Sequence, residues 1–182
     1  MAQSFVMLFD TAIGRCGIAW GDDGILAVSF PETNDAATLQ RLRRRVPDAE
    51  QTWEASQAVA PVIAAIRALA EGEAAGFDDA RLDMTGVGEF EKSVYALTRR
   101  IAPGETRTYG KLARDLGDVS LSRQVGQALG ANPFPIVIPC HRVVGAGGTM
   151  TGFSAPGGTE TKRRLLKIEG AIGPDLFDLM DG

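Results

Sequence analysis

Hydrophobic and polar positions divide the chain into two stretches of different rhythm. Residues 5–9, "FVMLF", read as a buried strand, and "RCGIAWGDDGILAVSF" reads as two strands joined at the turn signal "GDDG". Leu39, Leu42 and Val46 recur at helical spacing over residues 36–46, with Arg41, Arg43, Arg44 and Arg45 largely on the other sides. Such an arginine run could grip phosphate, although a solvated helix face is its commoner use. A second helix is predicted over 58–70, starting near Pro61, where proline suits a first turn. "RLDMT" adds a candidate short strand. Up to about residue 86 the pattern predicts a small antiparallel sheet with helices packed on it.

After "TGVGEF" the rhythm becomes helical throughout. Phe90, Val94, Leu97 and Ile101 step along one face of a helix that ends at "APGE". "TYGKLARDLG", the turn "DVS" and "LSRQVGQALG" then form two short helices around a tight turn, a helix-turn-helix candidate. Leu112 and Leu116 supply the buried side of the first helix, and Leu121, Val125, Ala128 and Leu129 that of the second. Gly126 in mid-helix costs about 1 kcal/mol relative to alanine, which implies close packing or the close approach of an external body.

Composition narrows the classes. The 182 residues suit one generous domain or two small ones sharing an interface, and 45 % apolar residues supply an ordinary core. No apolar run approaches the roughly 20 residues of a membrane helix. The opening "MAQSFVMLFD" lacks a basic region and a cleavage site, so no signal peptide is expected and the cytoplasm is the expected compartment. Cys16 and Cys140 are too few for a disulfide framework, and with one histidine they lack the paired spacing of a zinc site. The net charge of -4 is unevenly spread: from Arg99 to Arg142 seven basic residues face three acidic ones, so that segment is +4 and the remainder -8. A local basic face on an acidic body suits phosphate contact.

The chemistry concentrates at "NPFPIVIPCHRVV". Pro133, Pro135 and Pro139 stiffen this backbone and keep it out of helical conformation, and His141, the only histidine, directly follows Cys140. Taken alone, Cys140 could be a small buried hydrophobe. As a nucleophile it must become a thiolate, and a free pKa of about 8.5 leaves little of that form at neutral pH. Neighbouring side chains on an extended strand point to opposite faces, so His141 can serve Cys140 only across a sharp backbone turn or through a water. An acid behind the ring would orient it; Glu160 and Glu169 are the downstream candidates.

These residues carry a resemblance. "GETRTYGKLA", "NPFPIVIPCHRVV" and "KRRLLKIEGA" match, in order and approximate spacing, the motifs of the O6-alkylguanine-DNA alkyltransferases, the methylated-DNA–protein-cysteine methyltransferase family. The resemblance covers about residues 82–171, and "IPCHRVV" is its most specific part. It implies an α/β (α+β) chain: an amino-terminal, ribonuclease-H-like domain over 1–85 with a small antiparallel sheet, and a helical, winged-helix-like DNA-binding domain over 86–182. It implies DNA repair by a suicide enzyme, in which Cys140 takes the alkyl group from O6-alkylguanine, with O4-alkylthymine as a further substrate. The expected partner is double-stranded DNA bound in its minor groove with the damaged base flipped out; no cofactor, no metal and a monomer are expected.

By the same resemblance, His141 acts through water as the base for Cys140, Glu169 orients it, and Asn132 braces the turn. Arg123 fills the gap left by the rotated nucleotide, and Tyr109 helps rotate it and donates to the base. Gly126 and Ala128 let the second helix sit in a narrow groove; Arg142 and Val143 count among the substrate- and DNA-contacting positions. Phe153, where most members carry tyrosine, and Ser154, whose backbone amide would reach O6, wall the pocket in a loop about two residues longer than usual that contains Pro156. Glu91 replaces the usual glutamine. A lesion-binding relative without transfer chemistry is the rival reading, but such proteins usually replace the cysteine. A plain helix-turn-helix regulator leaves "PCHRVV" unexplained.

Overall fold

The computed structural model describes residues 2–150 and 155–173. Strands β1 (Phe5–Thr11), β2 (Gly14–Gly21) and β3 (Gly24–Ser29) form the antiparallel meander that "GDDG" predicts. β1 is buried on both faces: Val6 joins Ala19, Ala27, Leu42 and Val46 on one side, and Phe9 joins Cys16, Ile18 and Trp20 on the other. That double burial explains an apolar run without polar alternation. Helix α1 (Asp35–Arg43), capped by the Asn34 side chain, covers the first face. The chain then returns to add β4 (Glu50–Gln51) parallel to β1, giving the sheet order β3-β2-β1-β4. The sheet is therefore mixed, not purely antiparallel, because a helix and not a hairpin makes the last connection. Helix α2 (Ala60–Ala70), with Pro61 in its first turn, covers the second face.

Two sequence expectations change here. "RLDMT" contributes only a single bridge, Leu82 against Ile25. Arg45 is not solvated: its Nε donates to the Leu26 carbonyl at 2.6 Å, Nη2 reaches the carbonyls of Asp83 and Thr85, and its guanidinium lies 5.6 Å from the Phe134 ring centroid.

The second stretch opens with α3 (Glu89–Thr98) and continues through β5 (Arg107–Thr108) into α4 (Tyr109–Asp115). The 3-10 turn Val119–Leu121, capped by Asp118, leads into α5 (Ser122–Gly130), which completes the helix-turn-helix. β6 (Val143–Val144) pairs with β5 in parallel, and α6 (Gly158–Ile168) closes the described chain. One buried cluster runs from the sheet face through α3, α5 and the strap 134–138 to Leu165, so both stretches share a core. An edge contact reinforces it, the Val28 N–H donating to the Pro133 carbonyl at 2.9 Å. No helix among the described residues is long and apolar enough to cross a membrane.

Gly24 is the fold's least replaceable turn residue. Its φ is +132°, and a Cβ built there would sit 2.5 Å from the Arg81 carbonyl oxygen, a backbone atom that itself accepts from Ile25. Gly24→Ala is expected to cost about 2–4 kcal/mol, combining left-handed strain with a displaced backbone bond. Urea unfolding checks this, and a midpoint equal to that of the parent protein would refute it.

Candidate active site

Cys140 sits at the end of a strap whose backbone is forced into one shape. Asn132 uses both ends of its amide, Oδ1 accepting from the Phe134 N–H at 2.9 Å and Nδ2 donating to the Ile138 carbonyl at 3.0 Å. Ile136, fully buried, holds φ at +74°, a conformation that costs a β-branched residue about 1–3 kcal/mol and persists only where surroundings over-determine it. Pro139 (φ -78°, ψ 65°) then makes an inverse γ-turn, closed by the Cys140 N–H on the Ile138 carbonyl at 2.7 Å. A 3-10 turn over Cys140–Arg142 follows. This is the sharp turn that the sequence argument requires, and it sends three consecutive side chains in different directions.

His141 is wholly buried, and its Nε2 lies 2.7 Å from Glu169 Oε1. Arg142 donates to the same carboxylate, Nε to Oε2 at 2.9 Å and Nη2 to Oε1 at 2.8 Å, and Nη1 donates to the Ile101 carbonyl at 2.6 Å. Burial alone would raise the Glu169 carboxyl, but hydrogen bonds from His141 and Arg142 and the charge of Arg142 outweigh it and bring it down to about 2. Burial lowers His141 below its ordinary value, against the pull of Glu169, so the ring is neutral at pH 7. An ionised carboxylate only accepts, so Nε2 carries the proton and Nδ1 carries the lone pair. Nδ1 has no protein partner among the described residues, which leaves it available as a base.

The thiol itself is buried, which pushes it up; the Asn132 amide, the Lys162 ammonium and the backbone N–H groups of Cys140 and His141 pull it back only in part. Lys162 is completely buried and donates to the Val143 carbonyl at 2.5 Å and to the Tyr109 hydroxyl at 3.3 Å. Tyr109, raised by burial and by the charge of Cys140, remains a phenol and thus a donor. Tyr109, Asn132, Pro135, Leu129 and Pro156 line the cavity over Cys140, joined by Arg41 from α1. Cys16, the other cysteine, is pushed up to about 11 by burial against the sheet and faces no base.

The structure brings Cys140, His141, Glu169, Asn132 and Tyr109 into one site and leaves Arg123 exposed at the start of α5, with no ion pair among the described residues. Gly126 is half-buried, and a Cβ there would only touch the Tyr109 ring at 3.9 Å, so internal crowding does not demand the glycine. Three of the expected contact residues have buried side chains. Arg142 is buried, and its guanidinium is committed to Glu169 and Ile101. Ala128 is buried at 3 % exposure, on the core side of α5, where its carbonyl accepts from Tyr95, so its side chain cannot face a groove. The Val143 side chain is wholly buried, and its carbonyl is held by Lys162. Phe153 and Ser154 lie outside the described residues, although Ala155 and Pro156 of the same loop do wall the cavity.

Two site residues escaped the sequence reading. Lys162 was legible in principle: Lys162, Leu165, Leu166 and Glu169 follow i, i+3, i+4, i+7, so two charges sit in phase with an apolar stripe. Arg41 comes from the other half of the chain, and local pattern carries no trace of its arrival at the cavity.

A buried thiol with a histidine–carboxylate pair behind it, beside a helix-turn-helix, defines a cysteine-nucleophile protein of a nucleic-acid-binding class. Residues 89–171 match the family described as 6-O-methylguanine DNA methyltransferase, DNA binding domain. A methylated-DNA–protein-cysteine methyltransferase of Methanosarcina acetivorans is 35 % identical over 168 residues, covering 92 % of this chain and 99 % of that one. Among solved structures, Mycobacterium tuberculosis OGT in complex with DNA superposes with a TM-score of 0.74 at 30 % identity, covering 97 % of this chain and 99 % of that one. The O6-methylguanine-DNA methyltransferase of Pyrococcus kodakaraensis gives 0.67 at 26 % identity, over 91 % and 99 % of the two chains. The chain belongs to the methylated-DNA–protein-cysteine methyltransferase family.

The depressed Glu169 carboxyl sets a pH dependence. Its contribution to stability is complete above the unfolded value of about 4.5 and is lost as pH falls towards the folded value of about 2. Glu169→Gln should therefore flatten the acid limb of stability between these limits, removing up to about 3 kcal/mol of the loss on acidification. Urea midpoints from pH 5 to pH 2 check this; parallel curves for the two proteins would contradict the network.

Proposed function

We propose that the chain repairs DNA by moving an alkyl group from O6 of guanine onto Cys140, once per molecule. The observation that carries this reading is the Cys140 thiol at the floor of a cavity lined by Tyr109 and Asn132, backed by a histidine whose lone pair is fixed by an ionised carboxylate. The step balances as an in-line displacement. The thiol proton passes through water to His141 Nδ1; Sγ bonds the alkyl carbon as the carbon–O6 bond breaks; and the electron pair stays on guanine. Guanine leaves neutral by taking a proton at N3 from the Tyr109 hydroxyl, and Lys162, 3.3 Å from that hydroxyl, can restore it. Because the product is a thioether with no route back, the protein is consumed.

The alkylated oxygen lies inside the duplex, so the nucleotide must be extruded. Arg123, exposed at the head of α5, is assigned to the gap that it leaves, and half-buried Gly126 to the groove-facing side. The division near residue 85, the monomeric state and a cytoplasmic setting, in keeping with two free thiols, belong to the same reading.

Intact-mass measurement after incubation with duplex DNA carrying O6-methylguanine tests the reading. A gain of one methyl group is expected, absent in Cys140→Ala. Lesion binding without any mass change would favour a damage sensor instead. Arg123→Ala should slow transfer from duplex DNA by about tenfold or more relative to free O6-benzylguanine, since a kcal/mol or two of unstacking is left uncompensated. Equal losses on both substrates would remove the arginine from that role.

A further inference from the structure

The repair reading leaves one feature unused: a groove of about 390 Å³ beside the Cys140 cavity, lined by Arg41, Arg44 and Arg45 and by no acidic side chain. In a chain of net charge -4 such a surface is unusual. Groove and cavity adjoin, sharing Arg41, Gly130, Asn132 and Pro135. The three arginines are not equivalent. Arg45 is committed to the carbonyls of Leu26, Asp83 and Thr85, and Arg41 is partly neutralised by Glu32 at 3.2 Å. Arg44, exposed at the end of α1, makes no ion pair among the described residues, so its charge is open to an outside anion.

Covalent connectivity supplies the anion. A nucleotide whose base occupies the Cys140 cavity stays tied to its strand, so its flanking phosphates lie at the rim of the cavity. The side of the cavity wall formed by Gly130, Asn132 and Pro135 is the side that borders the groove. Guanidinium groups suit a phosphodiester through paired, charge-assisted hydrogen bonds.

We propose that this groove is a phosphate site in which Arg44, assisted by Arg41, holds the backbone phosphate next to the extruded nucleotide. Helix α1 of the amino-terminal half thus clamps the strand that α5 opens. The inference rests on the repair reading and extends it to arginines outside residues 89–171, the stretch that matches the DNA-binding family.

Salt dependence of binding tests it. In a Cys140→Ser background, which holds the lesion without transfer, affinity is measured from 50 to 300 mM salt on duplexes with and without one O6-methylguanine. Loss of one phosphate contact lowers the slope of log affinity against log salt by about 0.9, equivalent to roughly eightfold weaker binding at 0.1 M salt. Arg44→Gln should show this on the lesion duplex and not on undamaged DNA, where no nucleotide is extruded. Arg41→Gln should act in the same direction. Arg81→Gln, removing an exposed arginine outside the groove, should leave both slopes as they are. An unchanged slope in Arg44→Gln, a change of equal size on undamaged DNA, or the same change in Arg81→Gln would overturn the assignment. Methyl gain by the Cys140-intact protein is recorded in parallel: its absence defeats the repair reading, whereas its presence with an unchanged slope defeats the groove alone.

Discussion

The carboxylate of Glu169 is the group on which the site's chemistry hangs. Buried almost completely, it would be costly to keep ionised without partners, and Arg142 supplies both a charge and two hydrogen bonds. An acid held near pKa 2 cannot donate, so it dictates the tautomer of His141, and the tautomer leaves the lone pair on Nδ1. Arg142 therefore acts on the His141 ring through Glu169. Its third nitrogen, bound to the Ile101 carbonyl, ties the arrangement to the end of α3, so the base is oriented by the core and not by a mobile loop.

Helix α6 extends the same logic along its length. Lys162 and Glu169 lie two turns apart on its buried face, the lysine towards Cys140 and Tyr109 and the glutamate towards His141. One rigid element thus places a positive charge near the atom that becomes anionic and a negative charge behind the ring that becomes cationic. Both charges favour the separated proton, and their spacing is fixed by helical geometry. Opposite α6, the Asn132–Pro139 strap sets the position of the sulfur, with its strain at Ile136 held by complete burial and by the bond from β3 to Pro133.

Much of this was legible in the sequence where a local pattern encodes it. The meander, α1, α2 and the helix pair follow from turn signals and apolar periodicity, and the proline-rich strap with Cys140–His141 marks the reactive centre. What local pattern misses is non-local. β4 joins the sheet with two residues whose pairing depends on the return path over α1, not on their own propensity. Arg142 looks like a surface cation in a basic segment until Glu169 comes to meet it from 27 positions along the chain. Ala128 carries the small side chain of a groove contact, but its phase on α5 points it inward beside Val125 and Leu129.

The raised pKa of Cys140 looks at first like a defect in a nucleophile. A thiol that reacts once and is never regenerated faces a different demand from a turnover enzyme: it must survive until its lesion arrives. Exposed thiolates are the ones lost to oxidation and stray electrophiles, and burial keeps Cys140 as the less reactive thiol. The unpartnered His141 Nδ1, the Lys162 charge and the Tyr109 hydroxyl are gathered in the same buried site. Reactivity is then conditional on the one event that brings an alkyl carbon into line with the sulfur, extrusion of the damaged base into the Cys140 cavity. Selectivity for damaged DNA and protection of the resting protein follow from the same burial.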